Sequence, residues 1–279
     1  MSQGSLAAIA RDGAARIWAV GPRDGVIARL EPARLAIVVP TFNERENIAE
    51  LFARVGAAMG AAPWEMIVVD DDSPDGTAEA ARALHRLDGR IRVLRRIGRR
   101  GLSSACIEGL LSSSAPFLAV MDADLQHDPA LLPLMLRALE GGSADLVVAS
   151  RYAAGGELGE WDARRAAVSR LATDFTRRIS GVCLTDPMSG YFALRREVLD
   201  ETVRGLSGRG FKILLDLVLT VQRPLRIQEL PLKFGVRRHG RSKLNSGVVW
   251  QWLALLIRKT VARRLSGWGQ PGRRLSRRG

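Results

Sequence analysis

The chain has 279 residues, 47% hydrophobic and 25% charged, enough for one large core or two small ones. Its two cysteines, Cys106 and Cys183, exclude a disulfide framework and suit a reduced, cytoplasmic setting. The net charge of +13 sits at the end: residues 230–279 hold thirteen Lys or Arg and no acid, a tail suited to an anionic surface, lipid or nucleic acid.

Residues 1–33 are rich in Ala, Gly and Arg and show no chemistry. Ser5 to Val20 can be drawn as a helix, but a mobile extension is the expectation. No secretory leader is expected, because the first ten residues lack a positive start and the apolar stretch Leu6–Ala10 is short.

The strong pattern starts at Leu35. Leu35–Val39 reads as a buried parallel strand. Asn43, with Glu46 three residues later, has the form of a capping box, so a helix is predicted from there to about Gly60. Met66–Val69 is a second strand, ending in Asp70-Asp71-Asp72. Ser73-Pro74-Asp75-Gly76-Thr77 then turns into a helix. A third strand, Ile91–Leu94, leads through Arg95 and Arg96 to Gly101-Leu102-Ser103-Ser104 and another helix. The fourth, Pro116–Val120, ends at Met121-Asp122-Ala123-Asp124-Leu125-Gln126-His127-Asp128-Pro129, and Pro129 suits the first turn of a helix. Asp145–Ser150 is a fifth strand.

Strands and helices alternating at this spacing predict an α/β fold, a mostly parallel central sheet with helices on both faces. It is Rossmann-like, but no Gly-x-Gly-x-x-Gly follows the first strand, which argues against a dinucleotide site of that kind.

The second half is less regular. Trp161–Ser180 is predicted helical and carries Arg164, Arg165, Arg170, Arg177 and Arg178; most of these read as ordinary helix surface. Thr185–Gly190 is a loop before a strand at Tyr191–Leu194. Gly210-Phe211-Lys212 precedes a Leu/Val-rich helix ending near Pro224. Arg226–Leu232 is a late strand, and Arg237–Leu244 a polar, basic loop.

In an open parallel sheet, ligands bind at the carboxyl ends of the strands. Asp122 and Asp124 stand at such an end, with Gln126 two residues on. These oxygens suit a hard cation, Mg2+ or Mn2+, shared with a diphosphate. A bare Asp-x-Asp would read as an acidic turn; its company in this chain favours the chemical reading. His85, His127 and His239 have no mutual spacing for a metal or a triad and are expected at the surface or in loops. Cys106 and Cys183 are expected to be packed thiols.

Several stretches together spell a family pattern: Val39–Asn47, Val68–Thr77, Gly101–Ala105, Val120–His127, Ser150–Tyr152, Asp186–Tyr191 and Ser242–Leu244. In this order they resemble the GT-A glycosyltransferases of family 2, and within them the dolichol- or polyprenol-phosphate mannose synthases. The resemblance covers roughly residues 35–245. It implies a GT-A fold and metal-dependent, inverting transfer of mannose from GDP-mannose to a polyprenyl phosphate. UDP-glucose as donor, or a soluble acceptor with Asp186 as base, are the alternatives. By resemblance, Pro40, Phe42 and Glu44 would hold the nucleotide, with Val69 and Asp71 beside base and ribose. Asp122, Ala123 and Asp124 would meet the diphosphate, and Asp122, Asp124 and Gln126 the cation. Lys212, Arg237 and Lys243 would clamp the donor phosphates. Arg151 and one of Arg164 or Arg165 would hold the lipid phosphate. The catalytic set is then Asp124, Arg151 and Arg165. Phe42 in place of the usual Tyr, Arg99-Arg100 before Gly101, and His127-Asp128-Pro129 depart from the pattern without touching the acidic cluster.

Val248–Ile257 is apolar for ten residues, about 15 Å as a helix against roughly 30 Å of hydrocarbon, so it does not span a bilayer. Trp250 and Trp252, followed by Arg258, Lys259, Arg263 and Arg264, suit an interfacial helix; a core helix packed on the domain is the alternative. The expected layout is therefore an extension at 1–33, a catalytic domain at 34–245, an interfacial helix at 246–266 and a basic disordered tail at 267–279. Such a protein would be cytoplasmic and peripheral at the membrane surface, or would need a membrane-protein partner. Nucleic-acid binding by the tail leaves the acidic cluster unexplained and finds few interleaved aromatics.

Overall fold

The computed structural model describes residues 32–156, 184–233 and 235, together with 175, 176, 178, 256–259 and 261. The helix predicted at 161–180, the N-terminal extension, the basic loop at 237–244 and the tail therefore lie wholly or largely outside the described residues.

A seven-stranded sheet, in the order β3-β2-β1-β4-β6-β5-β7, forms the centre. Its strands are β1 (Leu35–Thr41), β2 (Trp64–Asp70), β3 (Ile91–Arg95), β4 (Phe117–Val120), β5 (Leu146–Ser150), β6 (Phe192–Arg195) and β7 (Ile227–Pro231). β1 runs parallel to β2 and β4, β2 to β3, and β5 to β7. β6 is antiparallel to both its neighbours, β4 and β5. The helices are α1 (Arg45–Met59), α2 (Thr77–His85), α3 (Leu102–Leu111), α4 (Leu131–Glu140), α5 (Arg196–Thr202) and α6 (Ile213–Thr220). α5 is the element that the sequence pattern did not announce.

All of β1 is buried because both faces are covered. Leu35, Ile37 and Val39 share one core with Ile48, Leu51 and Val55 of α1 and Leu132 and Met135 of α4. Ala36 and Val38 face the other, with Cys106 and Leu110 of α3 and Leu214 and Leu217 of α6. Each fully buried Leu or Ile contributes about 1.5–3 kcal/mol. Gly109 lets α3 approach: a Cβ there would lie 2.5 Å from Val38 Cγ1 and 2.7 Å from Val69 Cγ2. Even one methyl at that position would cost about 1–3 kcal/mol by overpacking.

The capping box does not form as predicted. Glu44 takes the cap position of α1 and makes no capping hydrogen bond with its side chain. Asn43 instead adopts φ +60 and donates its N–H to Ser73 Oγ. The β2–α2 loop caps α1 from outside: Thr77 Oγ1 accepts from Glu44 N at 3.0 Å and Asp75 Oδ2 from Arg45 N at 3.1 Å. This binds the loops after β1 and β2 into one edge. Among the described residues, no helix is long and apolar enough to cross a membrane.

Candidate active site

Three non-glycine residues carry positive φ among the described residues: Asn43 (+60), Asp72 (+56) and Leu125 (+63). Each stands in the loop just after a parallel strand, β1, β2 or β4. Such strain collects where surrounding structure must hold a site.

At the β1–β2 end, Asp70 is fully buried and takes hydrogen bonds from Thr41 Oγ1 and from Ser73 N and Oγ. Asp71 Oδ2 accepts from Gly101 N at 2.6 Å, and Arg96 Nη1 lies 3.0 Å from Asp71 Oδ1. Burial pushes the Asp71 carboxyl up, against the Gly101 amide and the Arg96 guanidinium, which both favour its charge. Arg96 also donates to Gly101 O and Ser104 Oγ, so it fixes the glycine turn that opens α3. Phe42 carries the Arg100 guanidinium 4.1 Å over its ring. Pro40 is buried at the end of β1. Glu44 Oε2 accepts from Asn47 Nδ2 at 2.7 Å. The Val69 side chain packs toward the α3 face, so only its backbone stands at the edge.

At the β4 end, Asp122 is partly exposed and Asp124 is buried. Asp124 Oδ1 accepts from Gln126 N at 3.2 Å. Ala123 between them is buried. Gln126 is tied to a distant segment: its Nε2 donates to Gly235 O and Gly235 N donates to Gln126 O, both at 2.9 Å. Among the described residues no three Asp, Glu, His or Cys groups form a complete cation cage. Two carboxylates with an amide carbonyl nonetheless fit a hard divalent ion that takes its other ligands from phosphate oxygens and water. His127 is not a surface residue. It is 3% exposed, because its ring is stacked on Tyr191.

Arg151 follows β5, and its guanidinium donates to Asp186 twice, Nε to Oδ2 at 2.7 Å and Nη2 to Oδ1 at 3.0 Å, with its backbone N–H a third donor. Asp186 is fully buried. Behind it, Glu229 of β7 accepts from Thr185 N at 2.9 Å and Thr185 Oγ1 at 2.7 Å. Lys212 stands at the cap of α6, within the field of Arg151, Asp186 and Asp122. Burial, then the Arg151 charge, lowers the Lys212 pKa. Burial opposes the Arg151 charge, but the Asp186 carboxylate outweighs it and the net shift is upward. Ser103, at the start of α3, donates from N and Oγ to Gly210 O and so joins the Lys212 loop to the Asp71 side.

Asp122, Asp124, Arg151 and Lys212 thus gather at one end of the sheet. Arg164, Arg165, Arg237 and Lys243 lie outside the described residues, as do Cys183 and His239. Sequence reasoning missed the parts played by Arg96, His127, Tyr191 and Glu229. Arg96 is one of three arginines between β3 and Gly101 and nothing in the sequence singles it out; His127, Tyr191 and Glu229 have no local signal either. Cys106 is a packed thiol whose pKa burial pushes up.

The C-terminal segment differs from expectation in one respect. Lys259 turns inward and pairs with buried Asp216 of α6 at 2.9 Å, donating also to Gly205 O and to Thr220 Oγ1. Leu256 is fully buried beside it, whereas Ile257 and Val261 are half exposed.

Residues 36–203 match the family described as Glycosyl transferase family 2. The chain belongs to glycosyl transferase family 2. Among relatives, a dolichol-phosphate mannosyltransferase of Pyrococcus furiosus is 38% identical over 232 residues, covering 81% of this chain and 63% of that protein. The Saccharomyces cerevisiae dolichol-phosphate mannosyltransferase is 36% identical over 79% of this chain and 85% of its own length. The polyprenol monophosphomannose synthase of Mycolicibacterium smegmatis is 35% identical over 76% and 81%. A solved glucosyl-3-phosphoglycerate synthase of Mycobacterium tuberculosis, bound to Mn2+, UDP-glucose and phosphoglyceric acid, superposes with a TM-score of 0.64 at 20% identity, covering 86% of this chain and 82% of that one. The same enzyme with Mg2+ and UDP gives 0.58 at 21% identity over the same shares. The GT-A α/β fold expected from the sequence is therefore the fold of this glycosyltransferase.

Proposed function

We propose that the enzyme transfers mannose from GDP-mannose to a polyprenyl (dolichyl-type) phosphate, inverting the anomeric carbon, with Mg2+ or Mn2+ at the donor diphosphate. The observation that carries this reading is the cationic corner made by Arg151, held by Asp186, and half-buried Lys212 beside the acidic strand end. A hydroxyl acceptor needs a base to remove its proton. A phosphate monoester is already ionised and needs cations to orient it, which a held guanidinium does well. Asp186, the candidate base for a hydroxyl acceptor, is fully buried and takes both hydrogen bonds from the Arg151 guanidinium, so it serves orientation. The names of the relatives point to the same class of acceptor.

In this reading a phosphate oxygen attacks the anomeric carbon. The bond from that carbon to the diphosphate oxygen breaks, and GDP leaves with the electron pair. Asp122, Asp124 and the side-chain carbonyl of Gln126 would hold the cation, which would offset charge building on the leaving diphosphate. Asp71, braced by Arg96, and Phe42, backed by Arg100, would line the nucleotide side with Pro40, Glu44 and the Val69 backbone. Lys212 would reach the phosphates between donor and acceptor. Arg164 or Arg165, Arg237 and Lys243 would complete the phosphate contacts. The basic tail and the exposed Ile257 and Val261 support work at the cytoplasmic membrane face as a peripheral protein.

The test is incubation with radiolabelled GDP-mannose or UDP-glucose, with and without polyprenyl phosphate and Mn2+ or Mg2+. Label should enter the organic phase only from GDP-mannose, and only with lipid and cation together. Organic-phase label from UDP-glucose alone would replace the donor. Label confined to water-soluble product would overturn the acceptor.

A further inference from the structure

Leu125 adopts φ +63, a conformation that costs a branched residue about 1–3 kcal/mol. The bend folds the loop after β4 back on itself and brings His127 to the start of that loop. His127 Nδ1 accepts the backbone N–H of Asp122 at 3.0 Å. An accepting Nδ1 puts the ring proton on Nε2, which lies 3.8 Å from Asp122 Oδ2. The ring is stacked on Tyr191, with centroids 4.9 Å apart and planes 19° from parallel. Tyr191 is itself fully buried and donates its hydroxyl to Asp128 O at 3.0 Å. Gly190 closes the remaining side: a Cβ there would stand 3.1 Å from Asp122 Oδ2. Asp122 is therefore held at its amide by an imidazole and given room at its carboxylate by a missing side chain.

We propose that His127 is a positioning residue that aims the Asp122 carboxylate at the donor's divalent cation, with Tyr191 as the plate that locks the ring. The inference rests on Asp122 being a cation ligand. Without the imidazole the partly buried Asp122 N–H must find another acceptor, so the loop must re-form. Partners that orient a metal ligand in this way commonly govern affinity about as strongly as a weak ligand does.

Three variants separate aim from mere filling. His127→Asn keeps an oxygen near the Nδ1 position. His127→Gln carries its oxygen out to the Nε2 position, and His127→Phe keeps the stack but loses the acceptor. Mn2+ binding to the protein–GDP complex, read by electron paramagnetic resonance titration, should weaken about ten- to hundred-fold for Gln and Phe and stay within about three-fold for Asn. Metal-free GDP binding should be unchanged in all three, which a general loss of structure would not allow. Wild-type Mn2+ affinity in the Gln and Phe variants overturns the proposal, as does an Asn variant no better than Gln. Should the Phe variant fail to fold, the Asn–Gln pair decides. Asp122→Asn reports on the underlying reading: lost Mn2+ affinity there supports it, and full retention removes both it and the role of His127.

Discussion

The two halves of the sheet are built on different principles. From β3 to β4 every strand is parallel, and each site group lies within a few residues of its strand end: Asp71 after β2, Asp122 and Asp124 after β4. From β6 to β7 the order is crossed by an antiparallel strand, and the groups are held by partners far along the chain. Arg151 meets Asp186 35 residues on, Thr185 meets Glu229 at 44, and Asp145 meets Arg226 at 81. The lesson is that the proposed donor groups take their place from strand ends, although Gln126 is also tied to Gly235, whereas the proposed acceptor corner rests on the buried Arg151–Asp186 ion pair. Changes at the first should cost chemistry; changes at the second should cost chemistry and stability together.

The largest effect is expected from Asp124→Ala. Transfer should fall by at least about 10²–10³-fold, while the thermal midpoint stays near wild type. Near-normal turnover would remove Asp124 from the reaction. Arg151→Ala should lower transfer too, and also cost about 3–5 kcal/mol in urea unfolding, because Asp186 is left buried without its cation. If Arg151→Ala proves as stable as Asp124→Ala, the contrast between the halves fails.

These contrasts explain what the sequence made legible. β1 to β5 were readable because each is a short apolar run closed by a polar turn, and the acidic residues followed directly. β6 was readable as a strand, but not as antiparallel between β4 and β5, since that depends on packing across the sheet. The same insertion brings Gly190 and Tyr191 under Asp122, so the burial of His127 was hidden for the same reason. The capping box at Asn43 failed because Ser73, Thr77 and Asp75 from the next loop satisfy that terminus first. Lys259 looked like one more surface cation because its partner, Asp216, is 43 positions earlier.

A smaller effect tests the far edge alone. Hydrogen bonds from Arg226 hold the Asp145 pKa down to about 2 from 3.8. A depressed carboxyl stabilises the fold fully above its unfolded value and loses that contribution as pH falls through its folded value. Since Arg226 is 59% exposed, the gain is screened to about 1–2 kcal/mol. Asp145→Asn should therefore be less stable than wild type by that amount at pH 7, and the gap should close between about pH 4 and pH 2. A gap constant with pH would mean the pair contributes packing and not charge. The smallest effect belongs to Arg100→Ala. Losing the stack on Phe42 should weaken GDP binding by about two- to five-fold, the value of a cation–π contact of about 0.5–1 kcal/mol. Calorimetry with GDP checks it, and Phe42→Tyr, which keeps the ring, should bind at least as well as wild type.

Lys259 bears on how this protein can be trimmed. Asp216 is 1% exposed on its side chain, and the ammonium opposite comes from a stretch that looks dispensable in the linear sequence. A chain cut ahead of that stretch would leave a carboxylate in the interior with the neutral amide and hydroxyl of Ser207 as donors and its cation gone, so water or a proton would be drawn to it. Either event would loosen the turn of α6 whose Asp216 amide is bonded to Lys212 O. A shortened enzyme would then lose activity through its own interior, before any question of reaching a lipid arises.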